Sequence, residues 1–128
     1  VKFKNGHSTL NKKNFIYFVV GLLLSFQANA DVNDTCNGIA ELAQKVMKNR
    51  VNGVPKSKMM EEIQKLRLAS ENSPDENKKR YLADQSGLTA MFTSEVYDID
   101  VPEDKKLKKQ AVKNYHDSVF KECIAANE

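Results

Sequence analysis

The 128-residue chain contains only two cysteines, Cys36 and Cys123, and their placement constrains the fold more than any other feature. A bond between them ties the start of the folded region to its end and brings their Cα atoms within about 7 Å. Whether it forms depends on compartment, because disulfides persist in oxidising surroundings and are rare in the cytosol.

The compartment is legible upstream. Lys2, Lys4, Lys12 and Lys13 stand there with no acidic residue, followed by the apolar run from Phe15 to Phe26 and then Ala28-Asn29-Ala30. A basic leader, a short apolar core and an A-x-A ending, in that order, make a secretory signal peptide. The run falls short of the roughly 20 apolar residues that a membrane span needs. Residues 1–30 are therefore expected to be a leader cleaved after Ala30, and residues 31–128 a single exported domain, in the periplasm or secreted, with no transmembrane anchor. Asn33, Asp34 and Thr35 precede Cys36 where a lipoprotein needs small or apolar residues, so a lipid anchor is not expected either.

Removing the leader changes the charge. The chain has 20 Lys and Arg against 17 Asp and Glu; four of the basic residues and none of the acids lie before Asp31, which leaves 16 against 17 and a net charge of −1. The basic character belongs to the targeting segment, and with it goes the electrostatic case for a nucleic-acid partner.

A mature chain of 98 residues is near the size at which a hydrophobic core alone is marginal, and small exported domains often add a disulfide. Two cysteines, an even count and an oxidising compartment predict that Cys36 and Cys123 pair. There is no C-x-x-C for redox or zinc chemistry and no C-x-x-C-H for haem attachment.

Apolar periodicity is helical almost throughout. Ile39, Leu42, Ala43, Val46 and Met47 share a face of a first helix over about Thr35–Val51, capped by Asp34 or Thr35 and stopped by Gly53 and Pro55. A second helix, about Pro55–Ala69, uses Met59, Met60, Ile63 and Leu66. Ser73-Pro74-Asp75-Glu76 reads as a capping box with proline at the first helical position. The helix it opens carries Tyr81, Leu82, Leu88, Met91, Phe92 and Val96, with a weak point at Asp84-Gln85-Ser86-Gly87 where a kink or break is expected. Pro102-Glu103-Asp104 opens a last helix bearing two apolar rows, Leu107, Ala111, Tyr115, Val119 and Cys123 beside Val112, His116, Phe120 and Ile124. The fold class expected is all-α, a compact bundle of about four helices with its ends joined by one disulfide. Short links make neighbouring helices antiparallel, so an even number returns Cys123 to Cys36.

Candidate sites are few. His116 is the only histidine after the leader; it is either a proton-responsive switch or a partly buried residue between Val112 and Phe120. Met47, Met59, Met60 and Met91 invite a Cu(I) reading, but they sit at apolar helical positions where methionine fills a core. Lys105-Lys106-Leu107-Lys108-Lys109 reads as solvated lysines flanking a core Leu107, against an anionic docking patch. Tyr97, Ile99 and Val101 alternate with Asp98 and Asp100 in a connecting segment, and apolar residues there either tuck under the bundle or await a partner. They form the candidate interaction surface.

Cys36 with its helix, Met47-Lys48-Asn49-Arg50-Val51-Asn52-Gly53-Val54-Pro55, Lys58-Met59-Met60, Val96-Tyr97 and Ala111-Val112 through Phe120 to Cys123 together resemble a recurrent type of small, exported, two-cysteine helical protein of proteobacteria and their prophages. The resemblance implies export, helicity and cysteine pairing, and brings no catalytic or binding residue with it.

The functional expectation is a non-enzymatic interaction module that binds a protein partner, with no catalytic residue, metal or cofactor. The alternative is an acid- or stress-activated periplasmic chaperone, since acidification neutralises the 17 carboxylates and leaves 16 positive side chains repelling one another.

Overall fold

A computed structural model describes residues 31–127; the leader and its cleavage after Ala30 lie outside the described residues. Four helices follow one another: α1 (Val32–Val51), α2 (Lys56–Glu71), α3 (Glu76–Val96) and α4 (Lys105–Ala126). None among the described residues is long and apolar enough to cross a membrane.

Local chemistry sets the boundaries, in places not where the sequence pattern put them. α1 starts a turn earlier than Thr35, because the Asp31 carboxylate caps it by accepting the Asn33 N–H at 3.0 Å. It ends in a Schellman motif, with Gly53 N–H donating to the Arg50 carbonyl, Val54 N–H to the Asn49 carbonyl and Gly53 at φ 85°. At α3 the cap is Asp75, which accepts from Asn77 N–H; Ser73 instead donates its hydroxyl to the Asp75 carbonyl, and Pro74 precedes the helix. Asp104 caps α4 through Lys106 N–H.

The expected break in α3 is absent, and the helix runs unbroken through Gly87. Ser86 explains the lapse in apolar pattern: it is buried against α2 and donates to the Ile63 carbonyl at 3.4 Å. A polar residue there serves the helix–helix contact.

α1 packs on α4 and on α3, while α2 packs on α3. The core joins Ile39, Ala43, Val46 and Met47 of α1 to Ala111, Tyr115 and Val119 of α4 and to Leu88, Phe92 and Val96 of α3, with only Met59 from α2. Phe92 and Tyr115 meet edge to face across the α3–α4 gap, ring centroids 6.2 Å apart. Each such side chain contributes roughly 1.5–3 kcal/mol by leaving water. The disulfide closes the same layer, with Cys36 and Cys123 bonded at 2.05 Å and their Cα atoms 5.6 Å apart.

Three residues assigned to the core by periodicity face solvent: Met60, Tyr81 and Leu107 are 51%, 59% and 42% exposed. Met60 lies a third of a turn off the Met59–Ile63 line, and α2 has a neighbour on that line only. Leu107 sits in the first turn of α4, with none of the described helices covering it. Tyr81 is exposed for a reason that makes the candidate site.

Candidate functional site

No residue of α3 before Leu88 belongs to the core. The first half of α3 packs instead on the second half of α2, where Ser70 donates to the Lys79 carbonyl at 2.7 Å. This arm stands away from α1 and leaves a cleft of about 430 Å³ between the two helices.

The cleft has an apolar floor and a charged rim. Ile39, Leu42 and Leu88 line the bottom; Ile39 and Leu88 are buried, and Leu42 is partly buried against the core. Gly38 lies one turn before Leu42, and a Cβ built there meets nothing within 4 Å. Tyr81 and Gln85 form the α3 wall, and Asp34, Glu41 and Lys45 mark the α1 rim. Tyr81, Gln85 and Leu88 share a face of α3 at spacings of four and three, as Asp34, Gly38, Leu42 and Lys45 share a face of α1. Asp84 sits beside Gln85, and burial pushes its carboxyl above the usual range.

The sequence-derived candidates lie elsewhere. The Tyr97–Val101 segment is tucked: Ile99 is 6% exposed and part of the core, with Tyr97 and Val101 packed against it. Arg50 latches this segment to the end of α1. Its Nη2 donates to the Ile99 carbonyl at 3.1 Å, and its guanidinium lies 5.0 Å from the Tyr97 ring centroid. The Tyr97 hydroxyl in turn donates to the Val54 carbonyl. Burial raises the Tyr97 pKa, which the Arg50 charge partly offsets. The R-x-x-G-V-P stretch and Val96-Tyr97 are therefore two halves of one structural latch.

Tyr115 is wholly buried, and its hydroxyl donates to Glu95 Oε1 at 2.7 Å. Burial first, then the Glu95 and Glu122 charges, push its pKa well up. His116 is partly exposed, with Nδ1 2.9 Å from Asp117 Oδ1. Lys113 and His116 hold the Asp117 carboxyl below the usual range. Met47 and Met59 are core residues, Met91 packs against the core and Met60 faces solvent, so the four thioethers do not converge. Among the described residues, no three His, Cys, Asp or Glu side chains gather into a metal-binding group.

Sequence reasoning missed the cleft because periodicity marks which residues share a face, not whether a neighbour covers it. The cleft residue that the sequence could have flagged was Gly38, which like Gly87 is a glycine inside a long helix with no turn to make. Comparison with known proteins finds no matching family model, no similar curated protein and no similar solved structure.

Proposed function

We propose that the protein is an exported, non-enzymatic interaction module that binds a protein partner in the cleft between α1 and α3. Gly38 carries this reading. A glycine inside a helix costs about 1 kcal/mol relative to alanine, and no side chain among the described residues occupies the space it leaves. That space lies on an apolar-floored cleft beside a tyrosine that is 59% exposed, an arrangement suited to close approach by another backbone. Export and processing after Ala30 remain part of the proposal, supported by the leader pattern and by a disulfide that an oxidising compartment favours.

A photo-crosslinking side chain at position 81, installed in the producing cell, should trap the partner. Gly38→Phe starts from a Cβ with open space around it and carries its ring into the cleft, so it should remove the adduct while the protein still folds. No adduct, or one indifferent to Gly38→Phe, sinks the reading. Ile99→Asp is unsuitable as a binding control, because it buries a charge in the core.

The second reading, an acid-activated chaperone, has one observation in its favour. The α3–α4 contact holds the buried Tyr115 hydroxyl on a carboxylate that acid would neutralise. Protection of a test protein from aggregation at low pH but not at neutral pH supports it; no protection removes it.

A further inference from the structure

The cleft is polarised along its length. α1 and α3 run parallel, their ends joined by the Arg50–Tyr97 latch, so Tyr81 stands at the end where α1 begins, near Asp34, while Lys45 marks the other end and Glu41 lies between. An exposed aromatic face beside a carboxylate is the chemistry that holds a lysine or arginine, through charge pairing and through the ring quadrupole. The α1 rim from Asp34 to Lys45 spans about 16 Å at 1.5 Å per residue, about three helical turns. Its apolar floor, narrowed to backbone at Gly38, matches the stripe of an amphipathic helix.

We infer that the cleft takes an amphipathic helix of a partner protein, whose apolar stripe carries a lysine or arginine at the end that meets Asp34 and Tyr81. This rests on the cleft being the binding site. Asp34 sets the orientation by attracting the basic end, and Lys45 disfavours the reversed docking.

Two synthetic helical peptides with the same leucine stripe test it against the disulfide-bonded protein, one ending in two arginines and the other in two glutamates. At low ionic strength the arginine peptide should bind about tenfold tighter, and the gap should narrow in 0.5 M salt as screening grows. Asp34→Asn with Glu41→Gln should abolish the gap, Tyr81→Ala should weaken the arginine peptide selectively, and Gly38→Phe should abolish binding of both. Equal binding of the two peptides, with Gly38→Phe still blocking both, overturns the charge assignment and leaves the cleft standing. Binding of neither, or binding indifferent to Gly38→Phe, overturns the cleft reading itself. A dimer that Gly38→Phe dissociates assigns the cleft to a second copy and overturns the partner inferred here.

Discussion

Single side chains hold the end of the bundle where α1 and α3 finish, and they do so by different means. At the end of α1, Arg50 donates to the Ile99 carbonyl and stacks on Tyr97, while its Nε is buried without a partner. Arg50→Ala should lower stability by about 2–3 kcal/mol in urea unfolding. Arg50→Lys should recover little, because an ammonium cannot stack and donate in one plane as a guanidinium does. Tyr115 gives a pH signature. Its folded pKa lies well above its unfolded value near 10, so the folded state binds more protons once the unfolded phenol ionises. Its contribution is fully present below about pH 10 and is lost as pH rises towards the folded pKa. Tyr115→Phe should cost about 1–2 kcal/mol at pH 7 through the lost bond to Glu95 and flatten the alkaline limb of the stability profile. An equally steep limb in the variant would place its origin elsewhere.

Helices owe their stability here to neighbours more than to propensity, and α3 shows it. Its pattern lapses at Asp84–Gly87, yet it continues because Ser86 is seated on α2 and Leu88 on α1. Gly87 itself is needed by nothing: a Cβ there meets no atom within 4 Å, and the residue is outside the cleft lining. Gly87→Ala should therefore stabilise by up to about 1 kcal/mol in chemical denaturation, with cross-linking from position 81 unchanged. A destabilised Gly87→Ala protein would mean that α3 does need a break there. The same logic explains why the N-caps of α1 and α3 fall two to four residues from where the sequence pattern places them. Asp31, Asp34, Ser73 and Asp75 are all competent N-caps, and the choice falls to whichever residue the packed helix leaves at its end.

On the scale of the whole molecule, one covalent link closes the bundle. Cys36 and Cys123 are 87 residues apart and 1% and 2% exposed. A loop of that length stabilises by about 4–5 kcal/mol in the chain-entropy model, a large share of what a domain this small possesses. Replacing both cysteines with alanine should lower Tm markedly. The native protein should also resist thiol alkylation in mild reductant until denaturant is added, because the sulfurs are out of reach while the bundle is folded. Ready alkylation of the folded protein would contradict the buried bond.

The all-α class, the number of helices, the cysteine pairing and most of the α1 and α4 core faces follow from the amino-acid order alone. Repeats of three and four mark a face, and two cysteines have one way to pair. Which faces are covered was decided only in three dimensions. Ile99 went inside because Arg50 holds its backbone to the end of α1, whereas Tyr81 and Leu107 stayed outside because none of the described helices lies over them. The cleft belongs to this second class: it exists because α2 draws the first half of α3 away from α1, and a distance between helices is not written in the pattern of either one.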